Sequence, residues 1–175
     1  MTTPQHPVQP APPTAPHPVK PAQLSQKGCE FISRFEGWVP HLYDDQAGHS
    51  TIGFGHLVHL GHTNGSEPAE FKQGITKQRG IALLKADAAK AAATVRECVK
   101  VPINQARFDA LVSFTFNVGG QAFRDSTLLR ELNAGHYGAV PEQMMRWVHA
   151  GPGVSEGLRN RRQAEGALFS QGKYS

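Results

Sequence analysis

Glu36, Asp45 and Thr51 follow one another at intervals of nine and six residues. Two carboxyl groups in unlike surroundings, flanking a cleft, are what glycoside hydrolysis requires. One must be protonated to donate to the leaving oxygen, and the other ionised to activate water or stabilise an oxocarbenium-like centre. A neighbouring hydroxyl can hold that water in line. By residue type alone the trio is a candidate only, because Asp44 and Asp45 equally suit a plain turn. His56, His59 and His62 recur every third residue and invite a metal. No H-E-x-x-H or carboxylate partner accompanies them, and a three-residue step outside a helix does not converge ligands, so neither metal nor other cofactor is expected. Gly53-Phe54-Gly55 is not followed by the glycine pattern that opens a nucleotide-binding helix.

These side chains need elements to position them. Leu24 and Ser25 offer an apolar staple and an N-cap to a first helix, in which Gly28, Ile32 and Phe35 repeat at helical spacing until Gly37. Glu36 is therefore expected in the last turn of that helix. From Trp38 to Gly55 the pattern breaks into short extended pieces and predicts a small antiparallel hairpin. Neighbouring strands lie about 4.8 Å apart, so the connection 46–50 can bring Asp45 and Thr51 together. Residues 59–74 read as loop, with room for one short strand or turn. Thr76 should cap a long helix reaching residue 100, with Ile81, Leu84, Ala88, Val95 and Val99 on one face. Everything after Asn104 reads as helical: an apolar helix through Phe108, Leu111, Val112, Thr115 and Phe116, then 126–133, 141–148 and 158–169. The expected fold class is α+β, a small β-hairpin lobe and a helical lobe joined by the helix 76–100, leaving a cleft between them.

Of the 13 prolines, eight fall within the first 21 residues. That asymmetry predicts a disordered leader over 1–23 and one catalytic domain over 24–175. With 39% hydrophobic and 18% charged residues, the rest can bury a core. No apolar run reaches the roughly 18 residues of a membrane span, and the N-terminus lacks a secretion signal, so synthesis in the cytoplasm is expected. The isoelectric point of 9.3 comes from a thinly spread surplus, which argues against nucleic acid as a partner. Arg159, Arg161 and Arg162 form the tightest basic group, read either as a solvated helix face or as a functional one. Cys29 and Cys98 lack C-x-x-C spacing, and free thiols are expected.

The run Glu36-Gly37, Tyr43, Asp45, Gly48 and Thr51-Ile52-Gly53-Phe54-Gly55-His56 resembles the signature of phage-type lysozymes, the endolysins of glycoside hydrolase family 24. Two further blocks match in order: Ala110 to Gly119 followed by Ser126-Thr127-Leu128-Leu129, and Gly157 to Glu165. The resemblance implies a lysozyme-like fold and a muramidase that cuts the β-1,4 bond between N-acetylmuramic acid and N-acetylglucosamine during host lysis. Carried over by position, Glu36 is similar to the general acid, Asp45 to the carboxylate acting on water or the developing cation, and Thr51 to the water-positioning hydroxyl. Leu57, Phe116 and Ser126 match sugar-contacting positions, with core packing the competing reading for Leu57 and Phe116. Arg161 resembles the arginine that reaches Glu36 across the cleft. His56 and Asp87 match a structural ion pair between hairpin lobe and linking helix.

The expected partner is the glycan strand of peptidoglycan, met by a monomer released through a separate membrane pore, with weak envelope contact through the basic C-terminal helix as a further expectation. Two rivals stand beside this reading. A lytic transglycosylase would act on the same bond but needs no water-activating partner such as Asp45 with Thr51. A non-catalytic wall-binding or membrane-permeabilising protein would use the basic helix 158–169.

Overall fold

The computed structural model describes residues 21–175, so the predicted leader lies outside the described residues except for its last three. Of these, Ala22 and Gln23 are already fastened: their carbonyls accept from Arg96 Nη1 at 2.6 Å and Gln105 Nε2 at 3.0 Å. The first helix, α1 (Gln26–Ser33), is capped by Ser25, whose hydroxyl accepts from Gly28 N–H at 2.9 Å. It ends earlier than the periodicity implies. Arg34 and Phe35 donate to the carbonyls of Phe31 and Ile32 in tightened turns, so Glu36 stands beyond the helix rather than within its last turn.

Three strands follow, β1 (Val39–Asp44), β2 (Ser50–Gly53) and β3 (His56–His59), paired antiparallel in that order. The sheet has one strand more than a simple hairpin, because His56 to His59 pairs back on β2 instead of entering the loop. Beneath it, Ile52, Phe71 and Leu83 form a small apolar cluster, with Phe71 supplied by the one-turn helix α2 (Ala69–Lys72). A separate and larger core occupies the helical lobe, around Phe31, Phe108, Leu111, Phe114, Leu132 and Leu168. Two cores give two lobes.

The lobes are joined by α3 (Lys77–Asp87) and α4 (Ala89–Cys98). Thr76 caps α3 as expected, accepting from Arg79 N–H, and Ile81, Leu84, Ala88, Val95 and Val99 are all buried. The single long helix is nonetheless interrupted at Ala88, where ψ is −8° and the N–H is shared between the Leu84 and Ala86 carbonyls. Alanine is the best helix former, so nothing in the sequence signals this break, which falls at a fully buried residue. Leu83 faces the small cluster while Leu84 and Val95 face the large one, so this pair of helices belongs to both lobes. At Gly80 an added Cβ would lie 2.3 Å from the Trp38 ring, which fixes how closely α3 approaches the base of β1.

The remainder is largely helical: α5 (Gln105–Val118), α6 (Gly120–Asp125), α7 (Thr127–Asn133), a 3-10 turn (Tyr137–Ala139), α8 (Val140–Met144) and α9 (Glu156–Gln171). Helix α8 stops short of the expected residue 148. A second hairpin of β4 (His149–Ala150) and β5 (Gly153–Val154) then interrupts the helical run. Its two-residue connection begins at Gly151 with φ +64°, so Gly151-Pro152 carried the turn signal that helical periodicity obscured. Cys29 is buried, Cys98 half-buried, and both are free thiols; burial raises the Cys29 pKa to about 11, which makes it an inert packing residue.

Candidate active site

Arg161 projects from α9 and is 4% exposed. Its Nη1 donates to Glu36 Oε1 at 2.8 Å, its Nε to Glu165 Oε1 at 3.0 Å, and its Nη2 to the Ser113 carbonyl at 3.1 Å. Phe35 covers the guanidinium at 5.3 Å. The Glu36 side chain keeps 26% of its surface open, so it is anchored at one oxygen and still partly accessible. Glu165 is fully buried, and it also takes Arg162 Nη1 at 2.7 Å and Ser113 Oγ at 2.7 Å. Arg162, 1% exposed, reaches Asn117 and the Trp147 carbonyl; burial pushes its guanidinium below its ordinary value while Glu165 opposes the shift. Two arginines and two carboxylates thus form one lattice that locks Glu36 to α5 and α9.

The basic trio is consequently not a solvated face. Arg161 and Arg162 are interior, and the exposed Arg159 pairs with Glu156 at 3.4 Å. The expected envelope contact through this helix loses two of its three cations.

Asp45 follows the last residue of β1, and its carboxylate closes its own turn. Oδ1 accepts from Ala47 N–H at 2.8 Å and His49 N–H at 2.9 Å. These amide donors, His49 first, hold the carboxyl below its ordinary value, so Asp45 is ionised near neutrality. The plain-turn reading and the functional one therefore coincide in a single residue. Thr51, 3% exposed, donates its only hydroxyl proton to the His49 carbonyl at 2.9 Å, the same oxygen that accepts Asp45 N–H at 2.9 Å. The structure brings Asp45 and Thr51 together through His49 rather than by direct contact. Among the described residues no hydrogen bond links Glu36 to either of them. The two carboxylates come from opposite ends of β1, which carries a register irregularity between Val39 and Tyr43.

Thr51 pairs with Tyr43 on one side and Leu57 on the other, and directly paired residues share a sheet face. Leu57 is 47% exposed. Core packing is thereby excluded for it, and it is an apolar surface beside Thr51. Phe116 is half-buried against the large core and borders a cavity of about 510 Å³ shared with Asp87, Lys90 and Gln121. Ser126 is elsewhere engaged. It is 4% exposed, caps α7 by accepting from Leu129 N–H at 3.1 Å and donates to the Phe123 carbonyl at 2.7 Å. Its proton and one lone pair serve the helix start, which leaves a single acceptor lone pair for the expected sugar contact.

His56 Nδ1 lies 3.0 Å from both oxygens of Asp87, tying β3 to the end of α3. The other two histidines find different acids: His59 meets Glu67 at 3.0 Å and His62 meets Asp44 at 2.9 Å. Three separate carboxylates answer the three histidines, which therefore diverge from any common centre. Sequence reasoning missed the partners Glu67 and Asp44, together with Glu165, because each pairing crosses a loop or a lobe.

A family model described as phage lysozyme matches residues 33–165. The endolysin of Acyrthosiphon pisum secondary endosymbiont phage 1 is 37% identical over 150 residues, covering 83% of this chain and 97% of the relative. The endolysin of Bacillus phage PZA is 39% identical over 152 residues, 86% of this chain, which spans 56% of that relative's length. Among solved structures, the muramidase domain of SpmX from Asticaccaulis excentricus superposes with a TM-score of 0.74 at 31% identity, covering 86% of this chain and 99% of that one.

Proposed function

The chain belongs to the phage lysozyme family, and from that premise we propose that it hydrolyses the β-1,4 bond between N-acetylmuramic acid and N-acetylglucosamine, with Glu36, Asp45 and Thr51 as its catalytic residues. Lysozyme activity on peptidoglycan comes with the family; the bond and the residue roles are the proposal. Glu36 gives its proton to the glycosidic oxygen as the bond to the anomeric carbon breaks. Water attacks that carbon from the opposite face and loses its proton to Asp45.

The observation that carries this reading is the arrangement around His49. With its proton committed to the His49 carbonyl, the Thr51 oxygen offers only lone pairs. Asp45 Oδ1 is filled by two amides, which leaves Oδ2 without a partner among the described residues. A water donating one hydrogen to Thr51 and the other to Asp45 Oδ2 turns its own lone pair outward as nucleophile. Glu36, held at one oxygen by Arg161, presents the other to the substrate. Leu57 and Phe116 supply apolar surface for sugar rings on either lobe. The route belongs to the same proposal: synthesis in the host cytoplasm, release through a membrane pore and attack on the wall during lysis.

The test is clearing of purified cell walls by Glu36→Gln. Loss of a proton donor should lower the rate about 10²- to 10⁴-fold. Retained clearing would remove Glu36 from the reaction.

A further inference from the structure

The turn that carries Asp45 has a back face. Side chains alternate across a strand, so Asp44 and its partner Ser50 point away from the side shared by Tyr43, Thr51 and Leu57. On that back face lies the segment 61–63, to which Asp44, His49 and Ser50 are hydrogen-bonded and against which Gly48 packs. Asp44 Oδ1 accepts from Thr63 N–H at 2.8 Å and Thr63 Oγ1 lies 3.0 Å from it, while Oδ2 meets His62 Nδ1 at 2.9 Å. Ser50 N–H donates to the Gly61 carbonyl at 2.9 Å. His49 Nδ1 accepts from Gly61 N–H at 3.1 Å. Gly48, with φ +77°, lies under the His62 ring, which stands 3.1 Å from where a Cβ would be.

The segment is itself anchored. Glu67, 3% exposed, accepts from the N–H groups of Asn64 and Gly65 at 2.8 and 2.9 Å and meets His59 Nε2 at 3.0 Å. Lys72 Nζ, from α2, donates to the Gly65 carbonyl at 2.6 Å. A continuous set of hydrogen bonds thus runs from α2 through the loop to the back of the turn, and through the His49 peptide group to Asp45 and Thr51.

We propose that Asp44 is a positioning residue for the hydrolysis: by clamping the turn 44–50 to Thr63 and His62, it fixes the His49 peptide that orients the Asp45 carboxylate and the Thr51 hydroxyl. This rests on the roles given to Asp45 and Thr51 above. Asp44 faces away from that side of the sheet, so it acts on the water-bearing groups without holding sugar. A small misplacement of such groups costs up to about 100-fold in rate.

The experiment is steady-state kinetics on soluble peptidoglycan fragments with Asp44→Ala, Asp44→Asn and Asp45→Asn, each corrected for folded fraction. Asp44→Ala should lower kcat by about 10- to 100-fold with KM within about twofold. Asp44→Asn, whose amide oxygen can still accept from Thr63, should recover most of it. A merely structural role would change the folded fraction and leave kcat per folded molecule at the wild-type value, and that result overturns the proposal. If Asp44→Ala does not fold, His62→Ala combined with Thr63→Val, which keeps Asp44 and removes both of its side-chain partners, decides the matter: a lowered kcat at unchanged KM supports the clamp, and an unchanged kcat refutes it. Asp45→Asn separates the two levels. If it retains activity the catalytic reading itself has failed, whereas its collapse beside an unaffected Asp44→Ala defeats the clamp alone.

Discussion

Glu36 meets a guanidinium 125 residues away along the chain, whereas Asp45 is held by amides from residues 47 and 49. The first carboxylate is part of a buried lattice of Arg161, Arg162, Glu165 and Ser113 in the helical lobe. The second lies in a half-exposed turn whose rigidity is borrowed from a neighbouring loop. Buried ions are mutually dependent, because removing one leaves the others uncompensated in low dielectric. Backbone amides around Asp45 orient and ionise it without any such debt. The acid side of the candidate site is therefore expected to be coupled to global stability, and the water side to local order.

The largest effect that sharpens this contrast is on Glu165. Glu165→Ala strands two buried arginines and should destabilise the fold by about 3–5 kcal/mol in urea denaturation. Asp45→Asn, whose amide oxygen can still accept both N–H groups, should leave the unfolding midpoint nearly unchanged while activity is lost. Equal stability losses in the two variants would erase the distinction between the halves.

A subtler effect concerns pH. Hydrogen bonds, first that from the Asn64 amide and then that from His59, bring the Glu67 pKa down from 4.5 to about 2, so its hold on the loop is complete above the ordinary value and fades as pH falls toward 2. The pKa of His59 is raised from 6.5, first by the Leu60 carbonyl and then by Glu67. Its contribution is complete below 6.5 and is lost as pH rises through the raised value. Hydrogen-exchange protection of the Asn64 and Gly65 amides should be highest between about pH 4.5 and 6.5 and should fall on both sides. Protection that stayed flat below about pH 4.5 and above about pH 6.5 as well would show that the loop does not depend on this pair.

The same contrast governs what could be read from the residues. Thr76, Ser25 and Asn104 cap helices as their types suggest, since a cap is decided within four residues. The Asp45 turn and the return strand at Thr51 were legible for the same reason. Glu36 was placed in a helix that in fact stops at Ser33, because the tightened turns at Arg34 and Phe35 leave no mark in the apolar spacing. The break at Ala88 and the burial of Arg162 are tertiary facts. So is the Asp109 carboxylate, fully buried where Ser25, Gln105 and Tyr174 converge on it. The pairing of Arg161 with Glu36, and of His56 with Asp87, came into view only through resemblance to a family, since no local rule joins residues so distant. Ser126 shows the opposite limit: its position matched a sugar contact, and the structure adds a local role that the resemblance did not, as the cap of the helix it starts.

The central claim, hydrolysis through a water held at Asp45 and Thr51, is tested most directly by mass spectrometry of fragments released from purified peptidoglycan in water enriched in oxygen-18. Reducing muramic acid ends that each carry one heavy oxygen are the predicted result. Anhydromuramic acid ends without label would contradict it, because the bond would then have been cut without the water that these residues are held in place to deliver.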